Sequence, residues 1–277
     1  MKKRITKRLL VIVAILISLF WFSHWQNNSL VTTEVTLHSE RLPLNFSAYR
    51  IVQLSDLHNK RFGSEQQALV QKVADARPDL IVFTGDLVDS AKGDEEASLL
   101  LMEKLVELAP VYYVTGNHEW SSGRFSSLEQ QLTAAGVHIL RNTASELAIG
   151  EDTIQLVGID DPAQGEQTEN MLEQAFHKVD EERFTILLAH RPEELALYAD
   201  YPVDLIFSGH AHGGQFRLPF IGGLVAPNQG WFPPYTAGSH TLGRATMIVN
   251  RGLGNSIIPQ RIFNRPEIVV VTLRKTA

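Results

Sequence analysis

The chain has 277 residues, enough for one large domain with a substantial core. Its hydrophobic share of 44 % and charged share of 20 % are ordinary for a globular protein, and its formal charge of −6 argues against a general nucleic-acid binder, which presents a basic face. It has no cysteine, which excludes disulfides, thiolate metal sites and cysteine nucleophiles; a metal must be held by His, Asp, Glu or Asn, a set that favours Mn, Fe, Zn or Mg.

Residues 1–28 stand apart from the rest. Lys2, Lys3, Arg4, Lys7 and Arg8 precede an apolar run, residues 9–22, broken only by Ser18. A cationic start before such a run is the pattern of an export or anchor segment. The run is shorter than the ~20 residues of a spanning helix, but extending it to Trp25 brings it close, with Trp21 and Trp25 at the interface. No small-x-small cleavage site follows, and no Arg-Arg pair marks the twin-arginine route. Residues 1–28 are therefore expected to remain as a single-pass signal-anchor, with the chain secreted only if they are cleaved. Cations stay on the cytoplasmic side, so the remaining chain is expected outside.

Residues 29–44 read as a linker with a leading strand at 31–37. Residues 49–54, "YRIVQL", read as a buried strand followed by the loop "SDLHNKRFG". Ser64 and Gln67 resemble a capping box opening a helix to about residue 77. Strand 79–83 follows, then an amphipathic helix over 94–108 with acids in its first turn, where the helix dipole favours them. Pro110 ends it before strand 111–115. A helix over 125–136 and strands at 137–140, 145–149 and 153–159 come next. A helix near 168–180, strand 184–190, a short helix near 192–199 and strand 203–207 complete the alternation. Residues 218–239 are rich in Gly, Pro and aromatics and read as a loop. Phe216, Phe220, Trp231, Phe232 and Tyr235 on or near it either contact lipid or pack over a sheet edge. Strands at 244–250 and 266–273 close the chain. Alternating apolar strands and helices predict an α/β domain with helix-covered sheets, spanning 45–277.

Polar residues cluster directly after the core strands. Asp56 and His58 follow the first, Asp86 and Asp89 the second, Asn117 and His118 the third, His190 the strand ending at 190, and His210 and His212 the strand ending at 207. Asp56 to Asp86 is 30 residues and Asp86 to Asn117 is 31, each close to one βαβ unit. Successive units return to the same sheet edge, where open α/β sheets build sites. Carboxylates and imidazoles without sulfur suit two divalent ions, which can clamp an in-line phosphoryl displacement and generate a hydroxide nucleophile. Asp89 alone reads as a cap or supporting residue, and Glu119 as a partner orienting His118. Arg191 and Arg251 are candidate substrate-phosphate contacts, with a surface or structural role as the alternative. His24, His38, His138, His177 and His240 lie outside the motifs.

Asp56-x-His58, Gly85-Asp86-x-x-Asp89, Gly116-Asn117-His118-Glu119, His190 and Gly209-His210-x-His212 occur in that order. With this set, over roughly residues 48–215, the chain resembles the calcineurin-like metallophosphoesterases. "SGHAHGGQ" (208–215) and "NRGLGNS" (250–256) make it most similar to the small YaeI/YkuE-like phosphodiesterase branch. The resemblance implies a four-layer α/β/β/α sandwich and a metal-dependent phosphoric ester hydrolase using two divalent ions, Mn²⁺ first, Fe or Zn as alternatives. It implies Asp56, His58 and His212 on one ion, Asn117, His190 and His210 on the other, and Asp86 bridging. It implies His118 facing the leaving group, with Asn117 beside it in the catalytic pair. Gly213 and Gly214 read as clearance for substrate or backbone.

The expected substrate is a phosphodiester or pyrophosphate of a lipid or of the cell envelope, with no nucleic acid and no obligate protein partner. A UDP-2,3-diacylglucosamine pyrophosphatase-like activity is the alternative within this chemistry; the outward topology opposes it, because nucleotide-sugar lipids are made on the cytoplasmic side. A non-catalytic, metal-stabilised envelope binding protein is the alternative outside it, and His118 opposes that, since a structural site needs no leaving-group acid. A protein phosphatase fits the small chain and the anchor less well.

Overall fold

Runs of β-branched and apolar residues form the inner strands of two sheets in a computed structural model, which describes residues 2–255 and 258–276. Ser256, the last residue of the 250–256 stretch, lies outside the described residues. In chain order come α1 (Lys2–Asn28), β1 (Val31–Ser39), β2 (Arg50–Leu54), α2 (Gln67–Asp75), β3 (Leu80–Thr84), α3 (Glu96–Val106), β4 (Val111–Val114), α4 (Asn117–Ser121), α5 (Phe125–Ala134) and β5 (His138–Ile139). Then follow β6 (Thr143–Ile149), β7 (Asp152–Gly158), α6 (Thr168–Phe176), β8 (Thr185–Leu188), α7 (Leu195–Tyr198) and β9 (Leu205–Ser208). Four two-residue strands, β10 (Arg217–Leu218), β11 (Gly222–Gly223), β12 (Val225–Ala226) and β13 (Gly230–Trp231), precede β14 (Gly238–Leu242), β15 (Ala245–Val249) and β16 (Glu267–Lys275).

The first sheet has the order β1-β16-β2-β3-β4-β5 and the second β14-β15-β9-β8-β7-β6. β2, β3 and β4 run parallel, Ile51 opposite Leu80 and Ile81 opposite Val111. β7, β8 and β9 do the same in the second sheet. Side chains alternate across each strand, so each sheet has two apolar faces to cover. Val52, Leu54, Ile81 and Phe83 pack under Leu69, Val73, Leu101 and Leu132 of the outer helices. Ile51, Leu80 and Val82 face Leu156, Ile186 and Phe207 of the other sheet. Val157, Leu187 and Ile206 pack under Met171, Leu172 and Tyr198. The result is the expected α/β/β/α sandwich. Each fully buried Leu, Ile or Phe contributes about 1.5–3 kcal/mol.

A buried polar tie joins the two sheets. The Gln53 amide donates to the Ser208 carbonyl at 2.9 Å, and the Asn250 amide donates to the Gln53 carbonyl at 3.1 Å. It fixes the carboxyl ends of β2 and β9 side by side, which is where the polar motifs emerge.

Several local expectations are corrected. Ser64 does not cap a helix: Glu65 and Gln66 take left-handed φ of 49° and 61°, and α2 starts at Gln67. Gln66 instead turns its amide inward, accepting from Phe62 N–H at 2.9 Å and donating to Lys60 and Ala97 carbonyls. The strand read at 31–37 is β1, and it pairs along its whole length with the final strand β16, a partner that local pattern does not record. The 218–239 stretch contains no helix among the described residues, as expected, but is folded into two tight hairpins, β10–β11 and β12–β13. The β14 edge strand and the short helix α4 were not foreseen.

Candidate metal centre

Loops leaving the carboxyl ends of β2, β3, β4, β8 and β9 meet at one point. Their backbones are tied first: Asp56 N–H donates to the Gly85 carbonyl at 3.0 Å and His58 N–H to the Asp86 carbonyl at 3.1 Å. Such turns need backbone that most residues avoid. Asp56, His58, Asp86, His210 and His212 all have φ between 47° and 64°. Asp, Asn and His tolerate this region best, and each instance costs on the order of 1–3 kcal/mol. Gly116 is required for a different reason: a Cβ there would stand 2.3 Å from Asp86 Oδ1. Gly213 and Gly214 give clearance to protein rather than substrate, since a Cβ would strike the Asn264 amide at 2.1 Å or the Gly223 backbone at 2.3 Å.

The site side chains fall into two buried groups that share one carboxylate. Asp56, His58, Asp86 and His212 form the first; Asp86, His190 and His210 form the second, with all donor atoms of a group within 4.8 Å of one another. Asp86 Oδ2 lies 3.7 Å from His58 Nε2 and 3.3 Å from His190 Nε2, facing both. His58 Nε2 and His212 Nε2 are 3.1 Å apart, as are His210 Nδ1 and His190 Nε2. The Asn117 Oδ1 atom is buried without a partner among the described residues.

Charge in this pocket calls for a cation. Burial raises the Asp56 pKa to about 7, and Asp86 adds to the rise. Burial, followed by Asp86, lifts Glu119 to about 7. Burial pushes His58 down to about 4, and burial together with neighbouring imidazoles pushes His210 and His212 well below the ordinary range. Those three rings are therefore neutral near pH 7, with lone pairs free to ligate. His190 differs. Burial opposes its charge, but Asp86 outweighs burial and holds its pKa high. The same ring places Nδ1 2.6 Å from the Thr84 carbonyl, so Nδ1 carries the proton and Nε2 faces Asp86. Neutral imidazoles, crowded carboxylates and an orphaned amide oxygen fit two divalent ions.

Supporting residues hold this set in place. Asp56 accepts the His210 N–H at 3.0 Å, and Asp86 Oδ1 accepts the His118 N–H at 2.8 Å. Glu119 does not orient the His118 ring as expected. Its carboxylate accepts the backbone N–H groups of Asp86, Val88 and Gly116, clamping two site loops together. The His118 ring is oriented by Ser90, whose N–H donates to Nδ1 at 3.0 Å. Asp89 accepts the Ala91 N–H and pairs with Lys92, shaping its own turn. Arg191 makes a two-pronged pair with Asp161, both bonds 2.8 Å, and Arg251 pairs with Glu267 at 2.7 Å. Arg191 is close enough to His210 to depress its pKa.

Three supporting residues were invisible to motif reading. Asn228, at the turn of the β12–β13 hairpin, sits 3.3 Å from His210 Nε2 and 3.0 Å from Glu193 Oε1. The Asn264 amide donates to the His212 and Gln215 carbonyls. Arg261 is fully buried and spreads its guanidinium over the Gly254, Arg251 and Asn264 carbonyls.

Residues 49–214 match the family of the calcineurin-like phosphoesterases. The chain belongs to that family. It is 34 % identical over 250 residues to the metallophosphoesterase YkuE of Bacillus subtilis (strain 168), covering 88 % of this chain and 86 % of that one. It is 30 % identical over 240 residues to the phosphodiesterase YaeI of Escherichia coli (strain K12), covering 83 % of each. It is 29 % identical over 305 residues to the UDP-2,3-diacylglucosamine pyrophosphatase LpxG of Chlamydia trachomatis serovar D, covering 88 % of this chain and 89 % of that one. This calcineurin-like phosphoesterase is a phosphoric ester hydrolase with a dinuclear metal-binding site.

The two groups of the phosphoesterase make separate predictions. His212→Ala removes a donor only from the first group and His210→Ala only from the second. Each variant, dialysed and analysed by elemental mass spectrometry, should fall from about two metal equivalents to about one. Full retention of two ions by either variant would refute the division.

Proposed function

We propose that this phosphoesterase is a membrane-anchored phosphodiesterase or pyrophosphatase that uses two ions, Mn²⁺ first, on a lipid-linked or cell-envelope phosphate outside the cytoplasm. The observation that carries the reading is Asp86 Oδ2 facing imidazole nitrogens of both groups. In this reading Asp56, His58 and His212 hold one ion, Asn117, His190 and His210 the other, and Asp86 both. Bound ions supply Lewis acidity to the phosphate oxygens and activate water near neutral pH.

The chain's own residues do the rest. The His118 Nδ1 lone pair is occupied by the Ser90 N–H, which leaves the ring proton on Nε2. His118 is half-buried. As the water oxygen bonds to phosphorus, the bond to the leaving oxygen breaks; the His118 Nε2–H donates a hydrogen bond to that oxygen and stabilises the charge developing on it, and the proton the water loses reaches the leaving group through solvent. Arg191, whose charge His210 feels, is better placed than Arg251 to meet a phosphate oxygen. α1 supports the anchor: residues Arg4–Asn28 are long and apolar enough to cross a membrane, and the most apolar stretch of the helix is not buried by the domain. The cations before it support the outward topology. The likeness to the UDP-2,3-diacylglucosamine pyrophosphatase LpxG supports the pyrophosphatase alternative, and protease accessibility of the domain in intact cells separates the two topologies.

The full chain in detergent with Mn²⁺ should hydrolyse bis-p-nitrophenyl phosphate, and a chelator should abolish the reaction. No turnover with any common divalent ion would overturn the enzymatic reading.

A further inference from the structure

From Leu218 to Gly243 the chain carries no Asp, Glu, Lys or Arg, although a fifth of the whole chain is charged. This stretch buries Ala226 against the core but leaves its largest apolar side chains at the hairpin tips exposed. Phe220 is fully exposed, Trp231 is 74 % exposed and Phe232 64 %, with Leu218, Ile221 and nearby Phe263 also exposed. Phe220, Phe232 and Phe263 even hold left-handed φ of 69°, 54° and 51°. A bulky residue at such a φ is strained, and here no burial compensates.

The rim is continuous with α1. The end of the helix is fastened to segment 259–263: Asn27 Oδ1 accepts the Arg261 N–H at 2.8 Å and Ser23 bonds Gln260 at 2.5 Å. The Lys60 ammonium, from the loop after β2, donates to the Asn27 carbonyl. Phe22 meets Phe263 edge-on, ring centres 5.9 Å apart, and Arg265 lies 4.6 Å over the Trp25 ring. Arg217 N–H then donates to the Ile262 carbonyl at 2.9 Å, which joins the β10–β11 hairpin to the same segment. The second hairpin follows, because Leu224 N–H donates to the Gly214 and Phe216 carbonyls and Phe232 N–H to Leu224. Trp and Arg where an apolar helix ends mark the membrane interface. A surface that begins at that point, uncharged from Leu218 to Gly243 and studded with aromatics, meets the bilayer before any other partner.

The rim also borders the metal centre. The hairpin that carries Trp231 places Asn228 3.3 Å from His210. The hairpin that carries Phe220 packs its Gly223 on Gly214, beside His212. We propose that Leu218, Phe220, Ile221, Trp231, Phe232 and Phe263 seat in the bilayer interface beside the anchor, so that the metal centre takes the phosphate of a lipid still embedded in that leaflet. This deepens the proposed function and rests on its membrane anchor.

The chain has no native cysteine, so single-cysteine variants can each carry one environment-sensitive fluorophore. Full-length Phe220→Cys, Phe232→Cys, Leu16→Cys and Glu151→Cys would be placed in phosphatidylcholine–phosphatidylglycerol nanodiscs containing nitroxide-labelled lipid. Glu151 is exposed at the start of β7, the end of the sheet opposite the site. The Phe220 and Phe232 probes should be quenched at least about threefold more than the Glu151 probe. Quenching at Leu16 alone would overturn the rim while leaving the anchor standing; quenching at neither would overturn both. A fluorescence change that follows protein concentration in detergent, with no lipid quenching, would assign the rim to a second copy and overturn the proposal. As a second readout, Phe220→Ser/Trp231→Ser should lose about tenfold in rate on the p-nitrophenyl ester of phosphatidic acid in the disc and keep its rate on soluble bis-p-nitrophenyl phosphate. An unchanged rate on the disc-borne ester, or an equal fractional loss on both substrates, would overturn it. A wild type inert on both would overturn the enzymatic reading, while the quenching result would stand by itself.

Discussion

Asp86→Asn should reduce kcat/KM on bis-p-nitrophenyl phosphate by about 10³-fold or more, a loss of about 4 kcal/mol in transition-state stabilisation. The substitution is close to isosteric and can keep the Asp86 Oδ1 contact, 2.8 Å from the His118 N–H. It replaces Oδ2 with an NH₂ group at the point that faces His58 and His190. A donor there repels a cation, and because both groups share Asp86, both should empty. Thermal unfolding with and without chelator checks the cause. A ligand at 100 times its Kd stabilises the fold by about 2.7 kcal/mol. Wild type should lose that increment on chelation, whereas Asp86→Asn should show the same midpoint in both conditions. A variant that keeps its metal-dependent midpoint shift, or its activity, would show that Asp86 is not the shared ligand.

How much of this was legible beforehand depended on what each residue must satisfy. Asp56, His58, Asp86, His190, His210 and His212 were legible because few side chains ligate a cation, and each had to follow a strand to arrive at one edge. The inner strands were legible from buried apolar runs such as "LIVFT" (80–84). Pairing between ends of the chain was not: β1 and β16 are joined residue by residue across more than 200 positions, and no local pattern records a partner. The start of α2 was misread because Ser64 and Gln67 satisfied a local cap rule that the left-handed turn at Glu65 and Gln66 overrides. Glu119 was noticed in the right motif but given the wrong target. Its three backbone donors come from two loops, a contact that exists only after β3 and β4 have paired. Asn228, Arg261 and Asn264 were missed for a related reason: each acts on backbone or on a ring brought near by folding, and no spacing announces it. Arg191 and Arg251 were visible as possible anion contacts, but Asp161 and Glu267, their partners in the fold, were not.

His118→Ala should lower kcat by about 10²–10³-fold, the usual contribution of a positioned hydrogen-bond donor to charge developing in the transition state. Metal content should stay at the wild-type level, since His118 is in neither ligand group. Its backbone N–H, which bonds Asp86 Oδ1, survives the substitution, so the Asp86 carboxylate keeps its support. What disappears is the ring proton on Nε2, held there because Nδ1 accepts the Ser90 N–H. The size of the loss should then depend on the leaving group. p-Nitrophenolate carries its charge with little help, whereas an alkoxide depends on a donor that stabilises it. The penalty should therefore sit near the low end of the range for bis-p-nitrophenyl phosphate and near the high end for an alkyl diester. Comparing kcat for the two substrates in wild type and variant separates this from a packing effect. His118 also stacks edge-on against His58, ring centres 4.5 Å apart, and a disturbance passed through that contact would lower both rates by the same factor. An equal loss on both substrates would remove His118 from the role of hydrogen-bond donor to the leaving group and make it a residue that positions His58.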